Sequence, residues 1–211
     1  YLHYALDLWF EKCIKKQLHG EAYLVRFADD FLIMFQYERD AQRVYEAIIR
    51  RMELFGLELS KEKTRILPFG RNCGTRETFD FLGFTHFNSK TRKGYYSVGH
   101  KISRKKKKQF KSNLKKWVKE NRDKQFDEFM KKLNKKLTGS FNYYSLSGMI
   151  REVRSLWIHS LYVTFKWMNR RSQRRSFKLE RFYEIWHERI IHPYIHVDIW
   201  SGDKVIYNKK V

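Results

Sequence analysis

The stretch YLVRFADDFLIMF, residues 23–35, sets two adjacent aspartates, Asp29 and Asp30, between two apolar runs. The flanks at 22–27 and 31–36 read as two short strands, and Ala28-Asp29-Asp30 reads as the turn of a buried hairpin. Two like charges side by side disfavour each other's ionisation. Aspartate is a common turn residue, so an ordinary polar turn is one reading. The other is chemical. A tight turn between strands is a stiff mount for carboxylates, and phosphoryl transfer uses carboxylates that hold two divalent cations roughly 3.5–4 Å apart. Mg²⁺ is a hard ion that takes oxygen ligands and offsets the like-charge cost. From the spacing alone both readings stay open.

Outward from the hairpin, residues 1–18 carry Leu2, Ala5, Leu6, Trp9, Phe10 and Cys13 at steps of three and four, which predicts a helix with one buried stripe. Ala41, Val44, Ile48, Met52 and Phe55 predict a second helix over about 38–55, stopped by Gly56. LELSKEKTRILPFG then reads as a short extended piece, a turn and a strand closed by Pro68 and Gly70. ETFDFLGFTHF reads as a further strand with Gly83 in its middle, paired with GYYSVG across the turn chemistry of NSKTRKG. From Ser103 a helical period takes over: Phe110, Leu114 and Trp117, then Phe126 to Leu137, then Ile150 to Phe165, then Phe182 to Trp186. Residues 193–211 read as extended and irregular. The fold class expected is α+β: residues 1–100 a partial antiparallel sheet with packing helices, 101–190 an all-helical bundle, and 191–211 a tail.

The chain has 211 residues, 45 Lys plus Arg against 23 Asp plus Glu, and a net charge of +22. That excess points to a polyanionic partner, nucleic acid first and an anionic membrane surface second. It is concentrated. Residues 101–175 hold 23 Lys or Arg and five Asp or Glu, a net of +18. No run of about 18 apolar residues occurs, so no bilayer-spanning helix is expected. Two separated cysteines, Cys13 and Cys73, form neither a disulfide framework nor a metal-spacing pattern. His187, His192 and His196 are loosely spaced and without cysteine partners, which argues against zinc. RKKKKQFKSNLKKW interleaves lysines with Phe110, Leu114 and Trp117, so one helix face packs while the other presents cations to a phosphate backbone. Tyr143 and Tyr144 either stack on unpaired bases or pack in the bundle, and packing is the reading favoured.

Four stretches, in order, carry a resemblance. RFADDFLIMF resembles the Tyr/Phe-Ala-Asp-Asp hairpin of reverse transcriptases. FGLELSKEKTRI resembles the block that follows it, although Ser60 stands where the family usually has Asn. FDFLGFTHF resembles the strand that grips the primer end. GSFNYYSLSG and FKWMNRRSQRRSF resemble the helical thumb, or maturase X region, of bacterial group II intron proteins. The resemblance runs from Tyr1 to about Arg175. It implies that Asp29 and Asp30 are catalytic and bind Mg²⁺, with Asp30 the weaker contributor. It places Phe27, Ala28 and Lys63 near the incoming nucleotide, with a surface lysine the other reading of Lys63. It places Leu82 and Gly83 at the primer backbone; a strand glycine that permits a bulge is the plain alternative for Gly83. Lys105, Lys106, Lys107, Lys108, Lys115, Arg170, Arg171 and Arg174 are the expected RNA-binding cations.

The partners implied are structured intron RNA, an RNA template with a DNA primer, and dNTP substrates. A homodimer is left open, no membrane partner is expected, and the location is bacterial cytoplasm, with nucleoid or ribonucleoprotein. The family's two-metal site takes another aspartate from an earlier strand. YLHYALDLWFEK resembles the helix that follows the family's Pro-Gln-Gly turn. The chain is therefore expected to be the second half of a reverse transcriptase, inactive alone and without a nuclease domain. The competing functions are a maturase-like RNA-binding module that does not polymerise, and a reverse transcriptase of a retron or CRISPR-associated lineage.

Overall fold

Strand β1 (Ala22–Phe27) and strand β2 (Asp30–Phe35) pair antiparallel, with Ala22 opposite Phe35 and Phe27 opposite Asp30. The computed structural model describes residues 1–60, 62–171, 176–195 and 197–198. The turn is only two residues long, because Asp30 already belongs to β2. Side chains alternate across a strand. Leu24, Phe31, Ile33 and Phe35 pack against a core of Ala5, Leu6, Phe10, Ile14, Ala22, Val44, Ile48 and Met52. The opposite face is open rather than buried as the sequence suggested: Tyr23, Val25, Phe27 and Met34 are all exposed.

The amino-terminal helix is wound wider than expected. π-helical turns cover His3–Leu8 and Phe10–Ile14, followed by a 3₁₀ turn at Lys15–Gln17. Ala5, Leu6, Phe10 and Ile14 are the buried positions. The wider winding advances the stripe by four, so Ile14 turns inward and Cys13 stays exposed. Helix α1 (Glu38–Leu54) buries Ala41, Val44, Ile48 and Met52, and ends where Gly56 takes φ +67°. Its buried Asp40 accepts the backbone N–H groups of His19 and Gly20 at 3.0 and 3.2 Å, which fixes the entry to β1.

No strand forms among the described residues of 57–77, against expectation. Local hydrogen bonds hold this stretch instead. Lys63 and Thr64 N–H donate to Ser60 O, and the Cys73 thiol donates to Gly70 O at 3.0 Å while receiving the Asn88 amide at 3.3 Å. ETFDFLGFTHF is likewise two strands rather than one. Strand β3 (Thr78–Phe81) turns at Leu82-Gly83 into β4 (Phe84–Lys90), and β5 (Tyr96–Ile102) completes an antiparallel order β3-β4-β5. Leu82 and Gly83 have φ of +49° and +82°, the sign pattern of a type I′ hairpin turn, which ends a strand where a bulge would only bend it.

Four helices follow: α2 (Arg104–Asn121), α3 (Phe126–Tyr144), α4 (Ile150–Met168) and α5 (Leu179–Arg189). Their three-to-four spacing buries Leu114 and Val118, Phe129 to Phe141, Val153 to Met168, and Phe182 with Trp186 in one core. Lys107 Nζ donates to Glu152 at 3.0 Å and ties α2 to α4. The Trp157 indole donates to Ile191 O, and a parallel bridge joins Leu146 to Val197. His196 and residues 199–211 of the expected tail lie outside the described residues.

The chain divides into two compact units. One comprises Tyr1–Leu82 with His86–Val98; the other comprises Gly83–Thr85 with Gly99 onward. The chain passes between them within β4 and β5.

Candidate catalytic hairpin and nucleic-acid interface

The β1–β2 turn puts Ala28 and Asp29 at its two central positions. Ala28 takes φ +54°, and Asp29 is not in the left-handed region, the sign pattern of a type II′ turn. That turn favours glycine at its first central position, so Ala28 carries strain of order 1 kcal/mol. Among the described residues, Ala28 and Leu82 are the non-glycine positions with positive φ. Ala28 falls in the turn the sequence marked, whereas Leu82 falls where one continuous strand was expected. Backbone strain of this kind persists where the surroundings over-determine it.

Here the surroundings are visible. Arg26 points to the packed face of β1, donates Nε and Nη2 to Asp7 at 2.7 and 2.6 Å, and donates Nη1 to Ala28 O at 2.7 Å. One guanidinium thus ties the strained turn to the amino-terminal helix with a bidentate, charge-assisted pair. The Arg26 bonds hold the Asp7 carboxyl below the usual aspartate range, and His3 contributes in the same direction. Sequence reading missed both residues. The one signal was a charged residue at an inward position of an otherwise apolar strand.

Asp29 and Asp30 are both exposed at the tip, and Asp30 shares the open face with Phe27 and Leu32. Ala28 is exposed beside them. No group of three or more His, Cys, Asp or Glu suited to a metal ion occurs among the described residues. The hairpin therefore presents an adjacent carboxylate pair, one side of a metal site. Lys63 is exposed in the 57–77 stretch, its backbone bonded to Ser60.

At the second strained turn, Gly83 O accepts the Ser103 N–H at 2.9 Å, and Ser103 Oγ caps α2 by accepting from Lys106 N–H at 3.4 Å. A Cβ at Gly83 would meet Lys106 Cγ at 3.5 Å and Tyr144 Oη at 3.6 Å. The β3–β4 turn is thereby joined to the start of the lysine-rich helix. Tyr144 is buried, whereas Tyr143 is 53% exposed with its ring stacked on Phe84.

Lys105, Lys106, Lys108 and Lys115 are exposed on α2. Lys107 differs, because it is half-buried against Glu152 and its charge is already compensated. Arg170 and Arg171 are exposed just after α4, and Arg174 lies outside the described residues.

Comparison with known families gives two matches. Residues 2–86 match the model of the reverse transcriptase (RNA-dependent DNA polymerase) family, and residues 107–184 match the group II intron maturase-specific domain. The chain belongs to the group II intron reverse transcriptases. The reverse-transcriptase match contains the Asp29-Asp30 hairpin and the Leu82-Gly83 turn, and the maturase match contains α3, α4 and most of α2 and α5. Comparison with individual curated proteins gave no match. Group II intron reverse transcriptases pair a polymerase domain with a maturase domain, so nucleic acid, intron RNA included, is the partner class. No helix among the described residues is long and apolar enough to cross a membrane.

Proposed function

We propose that Asp29 and Asp30 are metal-binding carboxylates of an RNA-directed DNA polymerase. In this reading residues 1–100 are palm, 101–190 thumb and maturase domain, and 191–211 a tail. The observation that carries it is the turn itself: two adjacent carboxylates held at the exposed tip of a hairpin whose strained backbone is fixed by Arg26. Two Mg²⁺ ions, when bound, would polarise the primer 3′-hydroxyl and the triphosphate. Asp29 would hold metal directly, with Asp30 beside it. Phe27 and Ala28 border the nucleotide, and exposed Lys63 meets its phosphates. The Leu82-Gly83 turn, with its glycine beside Lys106, lets the primer backbone approach closely. Lys105, Lys106, Lys108, Lys115, Arg170, Arg171 and Arg174 contact RNA phosphates.

A pair of carboxylates from one turn does not hold two ions. Polymerisation therefore requires a further carboxylate from another segment, and the 211 residues alone do not extend a primer. The protein acts in the cytoplasm within an intron ribonucleoprotein, on an RNA template with a DNA primer. The second reading is a splicing module without polymerase activity, supported by the match to the group II intron maturase-specific domain over residues 107–184.

Primer extension separates the two. In a protein that joins this chain to a segment supplying the third carboxylate, Asp29→Asn should lower extension by about a thousandfold or more, the several kcal/mol a catalytic metal supplies. Intron RNA affinity should be unchanged. Extension retained in Asp29→Asn would overturn the metal assignment. No extension by the parent protein would favour the splicing module.

A further inference from the structure

Three cations surround one indole where α2 and α4 end. Lys119 Nζ lies 5.8 Å from the Trp167 ring centroid, Arg122 Cζ 5.5 Å and Arg170 Cζ 5.4 Å. Trp167 is half-buried, while Lys119 and Arg170 are exposed. Arg122 Nη1 donates to Arg170 O at 3.2 Å, which joins the two helix ends. Arg122 Nε is buried and has no hydrogen-bond partner among the described residues; its nearest carboxylate, Asp123, is 3.8 Å away and 76% exposed.

The chemistry of this collar differs from that of three other lysines of the bundle. Lys107, Lys116 and Lys132 each face a carboxylate, from Glu152, Glu120 and Glu128. A carboxylate that fixes a cation also cancels its charge. An aromatic face attracts cations through its quadrupole and leaves their charge intact. Trp167 therefore gathers three positive groups: Lys119 and Arg170 face no carboxylate among the described residues, and Arg122 has the exposed Asp123 at 3.8 Å. Favourable interaction with a helix C-terminus would account for a cation at each helix end, but not for three on one ring.

We infer that the Lys119–Arg122–Arg170 collar around Trp167 is a preorganised binding site for the phosphodiester backbone of RNA. This rests on the nucleic-acid reading of the basic helices and adds Lys119, Arg122 and Trp167 to the residues named there. Guanidinium groups are planar donors that take phosphate oxygens in pairs. Trp167 acts as a positioning residue, since it holds the cations rather than the RNA.

The test is the salt dependence of binding. The 211-residue chain is titrated with a labelled RNA hairpin bearing a single-stranded tail, over a series of salt concentrations. Lys119→Gln with Arg170→Gln changes two exposed side chains, so the fold is kept. It should reduce the slope of log K against log salt by about 1.4–1.8, two phosphate contacts' worth, and weaken binding roughly tenfold at moderate salt. The control, Lys116→Gln with Lys132→Gln, removes two carboxylate-paired lysines and should leave the slope in place. Trp167→Leu, checked for helix content, should weaken binding with every charge present, and Trp167→Phe should restore it. An unchanged slope in the collar pair, or an equal loss in the control pair, would overturn the site. Displacement of the RNA by millimolar inorganic phosphate at fixed ionic strength would show a free-anion site and overturn the backbone assignment. A flat salt response of the unaltered chain would instead remove the nucleic-acid reading itself.

Discussion

Arg26 shows how a single side chain governs the proposed metal-binding tip. It spans from the turn carbonyl of Ala28 to the Asp7 carboxylate. Asp7 titrates below its ordinary value because of that bond, so the folded state binds fewer protons there than the unfolded chain. Its contribution to stability is fully present above the unfolded value of 3.8 and is lost as pH falls through the lower folded value. Acid unfolding of the unaltered chain should therefore carry an Asp7 component that Arg26→Met lacks. Unfolding curves at a series of acidic pH values check this, and identical acid dependence in the two proteins would rule the linkage out. The turn that carries Asp29 and Asp30 was legible from sequence because its signal is local. The Arg26–Asp7 support was not, because its partners are 19 positions apart and only the folded hairpin brings them together.

At the scale of elements, the helices were the most legible part of the chain. Leu114, Leu133, Leu137 and Val153 recur at a helical period and end up buried. The strands were less so, for a backbone reason. Gly83 inside FDFLGF reads as one strand with a bulge, and only the paired positive φ at Leu82 and Gly83 turns it into a hairpin. The stretch after α1 failed as a strand because its polar groups are satisfied locally around Ser60 and Cys73. The junction between β5 and α2 carries its own expectation. Buried Ser103 caps α2 through Lys106 N–H while its own N–H holds Gly83 O. Ser103→Ala removes the cap and keeps the backbone bond. It should cost about 1 kcal/mol of helix stability, read by denaturant unfolding followed through the helical circular dichroism signal. No measurable loss would show that the long cap contact contributes nothing.

Across the whole molecule, charge is divided more sharply than hydrophobicity. Each unit has its own apolar cluster, yet residues 101–175 hold +18 of the +22. The maturase-specific match falls within that span for all but its last few residues. Binding driven by so many phosphate contacts should fall steeply with salt, by about 10³-fold or more between 50 and 200 mM for six to ten contacts. Titration of intron RNA at several salt concentrations measures it, and a slope near zero would leave the basic helices without their assigned role. The fold class followed from periodicity and the partner class from charge. The collar at Trp167 did not, since Lys119, Arg122, Trp167 and Arg170 meet only when two helix ends are packed together.

The β1–β2 hairpin is a sheet of two strands, so both of its outer rails carry amides and carbonyls that no neighbouring strand takes up among the described residues. Beside those rails lies the uncovered face of Tyr23, Val25, Phe27 and Met34. During synthesis the hairpin leaves the ribosome before any of the helices α2 to α5. A growing polypeptide in that condition recruits a third strand from wherever one is offered, correct or not. Early pairing of those rails should therefore favour folding of this chain over aggregation.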